Sequence, residues 1–333
     1  MIDPVTGTLY PDAWAAACTS PEILALARTG LGVLTADGTV RRRGLSTGTT
    51  AASAAKAAVL SLEVPCTVVE LRLPCGIDVR VPVEAANGTA SCRKDAGDYP
   101  SDATAGAVIT ARAVPAPATR LVAGSGIGRY IRDTPRFRRG EPAISDAARA
   151  AILEAVGDAC EALGLPGVAV TLTVPDGEAI ALRTLNARVG IADGISLLGT
   201  TGLVEPWDDH LAESVLTRVA SADPVVLTTG RIGLGHARRR YPGAEVVLVG
   251  GRIGEAIAAA PGEVMLFGLP ALILKYLLPE ILAGTGYATV EELAATPAFD
   301  EAVARAFEAA ASQYPGLRVV LIDRSGTVVA EGP

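Results

Sequence analysis

The 333-residue sequence has little of several residue types that mark particular protein classes. It contains two histidines and no H-E-x-x-H motif, which argues against a zinc-protease type of site. Its five cysteines form no C-x-x-C pair, which argues against a structural zinc site and a disulfide framework. The net charge of −7 argues against a general nucleic-acid binder, because such proteins carry a basic surface. A G-x-x-x-x-G-K-[ST] motif is also missing, so an NTPase gains little support.

Signals for secretion or membrane insertion are missing as well. The N-terminal segment MIDPVTGTLYPDAW has no basic region followed by an apolar core, so we expect no signal peptide. The most apolar run, 264–283, is interrupted by Pro270, Lys275, Pro279 and Glu280, which predicts a buried strand and helix rather than a membrane span. We therefore expect a cytoplasmic protein that binds neither membranes nor nucleic acids and holds no metal of its own.

The arrangement of apolar residues predicts two domains of different class. Residues 1–30 are predicted to form an N-terminal extension. Period-2 segments dominate residues 31–190 beside two helical patterns, at about 49–62 and 145–163, which predicts an α+β domain. In residues 191–333 strand-length and helix-length segments alternate, which predicts an α/β Rossmann-like domain with a mainly parallel sheet. Its parallel strands are expected at 195–199, 224–229, 245–250 and 263–268.

One stretch, 184–206 (TLNARVGIADGISLLGTTGLVEP), connects these two predicted domains. The apolar run 195–198 leads into Gly199-Thr200-Thr201-Gly202, and a helical pattern opens at Pro206. This order predicts strand, turn and helix, with backbone N–H groups exposed at the end of a strand, where open α/β sheets bind ligands. A tight turn that binds nothing remains the alternative.

Charged side chains are concentrated at a few places. Three arginine clusters, 41–43, 136/138/139 and 238–240, suit carboxylate or phosphate recognition, or form a solvated face. Asp95, Asp98 and Asp102 are close enough in sequence to act as general base or electrostatic partner, or to shape a polar loop. The two histidines, His210 and His236, are predicted at the surface.

Four ordered blocks carry a specific resemblance. They are RRGLSTGTTAASAAKAA at 42–58, KDAGDYPSDATAGA at 94–107, GEPAIS at 140–145 and the whole of 184–206. Together they resemble the cobalt-precorrin-5B methyltransferase (CbiD) family of anaerobic cobalamin biosynthesis. The resemblance implies an α+β first domain, an α/β second domain, S-adenosylmethionine as methyl donor, and methylation of carbon 1 of a cobalt-containing tetrapyrrole substrate.

The resemblance also suggests where the functional groups lie. We expect the methyl donor near six residues, Gly199, Thr200, Thr201, Gly202, Glu205 and Gly230. We expect the macrocycle near Arg43, Thr47, Gly48 and Thr49. The predicted catalytic residues are Lys94, Asp95 and Asp98. A homo-oligomer is possible under this hypothesis.

The chain departs from the family pattern at several positions. Thr50 replaces a cysteine and Ala105 replaces a histidine. Further on, 250–254 (GGRIG) and 268–272 (GLPAL) replace S-N-F-I-G and G-H-I-G-K, and an M-N-T-H-S block is missing. These differences indicate a divergent member. They support an alternative hypothesis, a non-catalytic or re-purposed paralogue that binds a tetrapyrrole or a nucleotide.

Overall fold

The structure, a computed structural model, describes residues 1–99, 101–133, 137–187, 189–207 and 215–333. Its helices are α1 Asp12–Ala17, α2 Pro21–Thr29, α3 Thr47–Leu60, α4 Asp146–Ala162, α5 Gly177–Ala181, α6 Val215–Ala220, α7 Arg231–Arg240, α8 Ile253–Ala259, α9 Pro270–Leu277, α10 Val290–Ala294 and α11 Ala298–Gln313.

The strands are β1 Gly32–Leu34, β2 Val40–Arg42, β3 Gly44–Leu45, β4 Cys66–Arg72, β5 Asp78–Ala86, β6 Thr89–Arg93, β7 Val108–Pro115, β8 Arg120–Ala123, β9 Gly126–Ile127, β10 Arg129–Tyr130, β11 Val168–Thr173, β12 Ile191–Ala192, β13 Gly194–Ile195, β14 Leu203–Val204, β15 Val225–Thr228, β16 Glu245–Leu248, β17 Val264–Gly268, β18 Leu317–Ile322 and β19 Val328–Gly332.

These elements fall into two compact units. Unit 1 comprises Met1–Arg28, Gly32–Val40 and His210–Pro333, and unit 2 comprises Thr29–Leu31 and Arg41–Asp209. The predicted boundary at 190/191 differs from this division, because β12, β13 and β14 are strands of unit 2. Compactness alone does not define an independently folding domain, so the three-part domain division stays a prediction.

Unit 2 is built on a six-stranded sheet with the order β4-β5-β6-β7-β11-β8. Its pairs are antiparallel except for β11 and β8, which are parallel. Helix α3 contacts both this sheet and α4, and nearly all of its side chains are buried. Its run of alanines and other small residues permits this close contact, because small side chains let neighbouring backbones approach. The helix begins after Ser46, whose hydroxyl accepts the N–H of Thr49 at 3.1 Å.

Unit 1 contains a five-stranded sheet with the order β16-β15-β17-β18-β19. The first four strands pair in parallel, and β19 pairs antiparallel with β18. Neighbouring residues along each strand face opposite sides of the sheet. In β15, for example, Leu227 belongs to the apolar core shared with α6, α8, α9, α10 and α11, whereas Val226 faces the core shared with Ala237 of α7. The chain is therefore a mixed α/β protein with parallel strands, and the more specific Rossmann-like description stays a prediction.

One predicted strand is wrong. The run 195–199 is not part of the parallel sheet, because Gly194–Ile195 pairs with Gly126–Ile127 in unit 2 and Leu197 forms a single bridge with Ile144. The turn at 199–202 then leads into β14, which pairs antiparallel with β3, instead of leading directly into a helix. Most of the helix predicted from Pro206, residues 208–214, lies outside the described residues, and α6 covers only its later part.

Two other predictions concern histidines and the membrane. His236 is buried, with 9% of its surface exposed, so its predicted surface position is wrong. His210 and Arg136 lie outside the described residues. In the described part of the chain, no helix combines the length and the apolar character needed to cross a membrane.

Candidate functional site

Two loops of unit 2 meet at the first conspicuous polar site. The segment 41–45 packs against the loop 94–102, and we call them the arginine segment and the acidic loop. A β-carbon on Gly44 would lie 2.3 Å from the carbonyl carbon of Ala96, so only glycine permits this approach. The Leu45 N–H donates to the Asp95 carbonyl at 2.7 Å. The two loops are therefore held together by backbone contacts.

Asp95 and Asp98, both predicted to be catalytic, lie on the solvent side of this contact. Their side chains are 54% and 45% exposed, and both lie near the Arg42 guanidinium, at 3.8 and 3.5 Å. The Asp98 carboxylate also accepts the Arg42 N–H at 2.7 Å. The structure thus brings together two accessible carboxylates and an accessible guanidinium. The guanidinium can donate its remaining N–H groups to a ligand carboxylate, and the two aspartates can accept protons or hydrogen bonds from a ligand.

Lys94, the third predicted catalytic residue, is buried instead. Its ammonium group pairs with Asp102, and these side chains are only 1% and 8% exposed. Asp102 also accepts the Thr104 N–H and hydroxyl at 2.8 and 2.6 Å. Burial raises the pKa of Asp102, but the hydrogen bonds from Lys94 and Thr104 outweigh burial and hold this pKa below its ordinary value. The pair anchors the acidic loop from inside the fold.

Arg43, predicted to bind substrate, is enclosed by protein groups. Its side chain is fully buried; its Nε donates to Glu205 at 3.0 Å and its guanidinium donates to the Gly30 carbonyl at 2.9 Å. Arg42 and Arg41 are the members of this run with solvent access, and Arg41 lies over the Trp207 ring at 5.4 Å. Glu205, predicted to bind the donor, therefore has a structural partner in Arg43.

The start of α3 holds the other predicted substrate residues, Thr47, Gly48 and Thr49. The Thr47 hydroxyl accepts the Leu198 N–H at 3.0 Å, and the Gly48 N–H donates to the Leu198 carbonyl at 3.0 Å. Thr49 donates its hydroxyl to the Gly202 carbonyl at 2.6 Å. All three residues are buried and bonded to the segment 198–202. Their contact with the macrocycle stays a prediction.

The turn 199–202 itself is tied to the fold on several sides. A β-carbon on Gly199 would lie 2.5 Å from the Ser46 β-carbon. The Gly202 carbonyl accepts the Ser46 N–H at 3.0 Å, and the Thr201 hydroxyl bonds to Leu203. Thr200 is the exposed member of the turn. The predicted donor site here stays a prediction, with Thr200 as the hydroxyl most open to solvent.

Gly230, the last predicted donor residue, belongs to unit 1. It lies just after β15, at the N-terminus of α7, and provides no side-chain cap. The chain runs from β15 to β16 on one side and then returns to β17 on the other side, so the strand order reverses at β15. In open α/β sheets, ligands bind outside the carboxyl ends of strands at such a reversal. Gly233 allows α7 to approach β17, because a β-carbon there would already lie 3.1 Å from the Gly268 Cα.

Sequence patterns do not single out two polar residues near these positions. Asp102 lies in the acidic loop, but sequence spacing does not reveal that Lys94 is its buried partner. Thr229 lies directly before Gly230 and is 9% exposed. Its signal in the sequence is a hydroxyl residue between the run VVLT at 225–228 and a glycine.

The chain is a mixed α/β protein with an accessible acid–arginine group in unit 2 and an open strand edge in unit 1, features typical of enzymes that act on small molecules. The CbiD family profile matches residues 34–206. A relative from Methanoregula boonei named cobalt-precorrin-5B C(1)-methyltransferase is 55% identical over 100% of both chains, and a relative of the same name from Methanoculleus marisnigri is 52% identical over 100% of both.

A solved structure agrees with these matches. The 1.9 Å crystal structure of the cobalamin biosynthesis protein (cbiD) from Archaeoglobus fulgidus has 35% sequence identity to the chain and a TM-score of 0.57. The match covers 97% of this chain and 100% of the other. The chain belongs to the CbiD family, as the sequence blocks indicated.

Proposed function

We propose that the chain is a cobalt-precorrin-5B C(1)-methyltransferase that uses S-adenosylmethionine to methylate carbon 1 of a cobalt-containing tetrapyrrole. One observation carries this proposal, the 55% identity over the full length of a relative with that name. Because that match includes the altered segments 250–254 and 268–272, it favours the enzyme over the non-catalytic paralogue. The donor, when bound, supplies a methyl group on a positively charged sulfur.

The acceptor side of the reaction fits the contact between the arginine segment and the acidic loop. Tetrapyrrole precursors carry several carboxylates, and the accessible guanidinium of Arg42 can bind one of them. The carboxylates of Asp95 and Asp98 keep this guanidinium in place, through the contacts at 3.8 and 3.5 Å. The protein's main contribution to the methyl transfer is then to hold the acceptor in one orientation.

The buried contacts give this site its rigidity. Lys94 and Asp102 fix the acidic loop from below, while Arg43 and Glu205 fix the end of the arginine segment. A catalytic group on a loop that is anchored in this way keeps its geometry without a cost in ordering when the substrate arrives. We therefore assign Asp98 the contact with the acceptor, and Lys94 the task of positioning the loop.

A single-turnover experiment tests the proposal. Enzyme in excess is mixed with methyl-labelled S-adenosylmethionine and a cobalt-precorrin-5-type substrate, and label in the macrocycle is followed with time. We expect transfer by the wild-type chain, and weaker substrate binding as salt is added, because ions screen exposed charge pairs. Binding of both ligands without any transfer of label would support the paralogue hypothesis and refute the enzyme.

A further inference from the structure

We infer that the methyl donor binds at the carboxyl edge of the five-stranded sheet in unit 1, with Thr229 and the N-terminus of α7 as its main polar contacts. This inference rests on the proposed function, which supplies the identity of the ligand. Among the predicted donor residues only Gly230 lies at this edge, whereas Gly199, Thr200, Thr201, Gly202 and Glu205 belong to unit 2.

Thr229 is the observation that points to a ligand. It follows β15 directly, only 9% of its surface is exposed, and its hydroxyl has no hydrogen-bond partner among the described residues. The hydroxyl oxygen lies 3.6 Å from the position that a β-carbon on Gly268 would occupy. It therefore points toward the end of β17, into the gap where the strand order reverses. Since the Thr229 hydroxyl is not one of the fully buried atoms that lack a partner in the described part of the chain, it keeps contact with solvent, and a bound polar group can reach it.

The N-terminus of α7 supplies a second polar surface beside this hydroxyl. The first N–H groups of a helix have no partner within the helix, and Gly230 offers no side chain to cap them. The first such bond of α7 runs from the Leu234 N–H to the Gly230 carbonyl at 2.9 Å. Exposed N–H groups at the positive end of a ten-residue helix favour an anionic group. The carboxylate of the methionyl part of S-adenosylmethionine is such a group.

The backbone around this edge leaves room for a ligand. β-carbons built on Gly230, Gly250 and Gly251 would meet no atom within 4 Å. Gly250 and Gly251 follow β16, the strand beside β15, so the open positions lie along the same carboxyl edge. By contrast, the carbonyls of Leu198 and Gly202 in unit 2 already accept bonds from α3 and its cap. The unit 1 edge thus has unused polar groups and space, whereas the turn at 199–202 uses much of its polar backbone internally.

The experiment measures S-adenosylmethionine binding to the full chain by titration calorimetry. Thr229→Val removes the hydroxyl but keeps the shape, and we expect it to weaken binding about tenfold, the loss typical of one hydrogen bond to a polar ligand group. Thr201→Val tests the competing donor position in the turn 199–202, and Thr217→Val, at an exposed position of α6, is the matched control that should bind like wild type. Thr229→Ser retains the hydroxyl and should restore affinity, which separates the lost hydrogen bond from a folding defect. Decarboxylated S-adenosylmethionine should bind wild type more weakly, because it lacks the group that faces α7.

The outcomes distinguish this inference from the proposed function. If Thr201→Val weakens binding and Thr229→Val does not, the donor binds at the turn 199–202; the inference is overturned while the methyltransferase stands. Equal affinity of Thr229→Val and wild type also overturns it. If wild type binds no donor, the inference fails, and the single-turnover assay then decides whether the proposed function fails with it.

Discussion

The pair of Lys94 and Asp102 offers the sharpest test of how unit 2 is held together. Asp102→Asn keeps the size of the side chain but removes the negative charge, so the ammonium of Lys94 remains buried without its counter-ion. Breaking a buried ion pair in this way costs about 3–5 kcal/mol of unfolding free energy. For a unit of this size each kcal/mol corresponds to about 2–4 °C in Tm, so we expect the thermal transition of unit 2 to fall by about 6–20 °C.

A second lysine–aspartate pair in unit 2 provides the matched control. Lys56 and Asp158 lie 3.0 Å apart, but the Asp158 side chain is 56% exposed. Solvent screens such a pair, so Asp158→Asn should cost no more than about 1 kcal/mol. Both variants are compared with wild type by calorimetry at pH 7. If Asp102→Asn lowers the midpoint no further than Asp158→Asn, burial of the Lys94 pair does not stabilise the loop and our argument is refuted.

The effect should also depend on pH in one direction. The pKa of Asp102 in the folded chain lies below its ordinary value, because the bonds from Lys94 and Thr104 outweigh the effect of burial. A lowered folded pKa stabilises the fold above the unfolded pKa, about 3.9, and this contribution is lost as the pH falls through the folded value. The stability difference between wild type and Asp102→Asn should therefore be full at pH 6 to 7 and shrink below about pH 4.

Three further predictions test separate parts of the chain. Asp98→Asn should lower methyl transfer at least tenfold. It should change the free energy of unfolding by less than about 1 kcal/mol, because the Asp98 ion pair is exposed. A large stability loss with normal turnover would contradict the assignment of Asp98 to the acceptor site. Ser46→Ala should lower the free energy of unfolding in urea by about 1–2 kcal/mol, because it removes the cap of α3. Ser145→Ala removes the cap of α4 and should cost no more. An unchanged urea midpoint for Ser46→Ala would refute the capping argument. Burial raises the pKa of Cys92 to about 11, so at pH 8 roughly one Cys92 thiol in a thousand is ionised. Cys92 should therefore react with a thiol reagent long after the half-buried Cys75. Equal reaction rates would show that Cys92 is accessible.

Sequence patterns predicted most elements of unit 2 for clear physical reasons. An alanine-rich run behind a serine predicted a helix near 49–62, and the helix extends from Thr47 to Leu60. Alternating apolar residues predicted strands at 66–73 and 89–93, close to the observed β4 and β6. These patterns succeed because helix propensity, capping and alternation are local properties of the chain.

The misplaced strand at 195–199 shows what local patterns lack. Ile195 and Leu197 are both nearly fully buried, so their apolar character was interpreted correctly as burial. Their partners, however, are short segments near Ile127 and Ile144, far away in sequence. Burial is encoded residue by residue, whereas the pairing partner of a strand depends on the whole fold.

In the candidate site as well, local features can be predicted from the sequence and long-range contacts cannot. The accessible acids Asp95 and Asp98 lie in a polar, glycine-containing loop that the sequence marks as exposed. The enclosure of Arg43 by Glu205 and Gly30 joins positions far apart in the chain, and no spacing rule predicts it. Thr229 likewise resembles any threonine at the end of a strand until the reversal of strand order is known.

The interrupted course of unit 1 along the chain has a consequence for biosynthesis. On the ribosome, every residue of unit 2 is synthesised before the first strand of the five-stranded sheet is made. The hydrogen bond from the Ala36 N–H to the Arg239 carbonyl, 2.8 Å long, cannot form until residue 239 has been added. At about 5–20 residues per second, Ala36 waits roughly 10–40 s until Arg239 is added. During that interval unit 1 is unfinished while every residue of unit 2 has been synthesised, so Leu24 and Ala27 of α2 lack part of the unit that buries them.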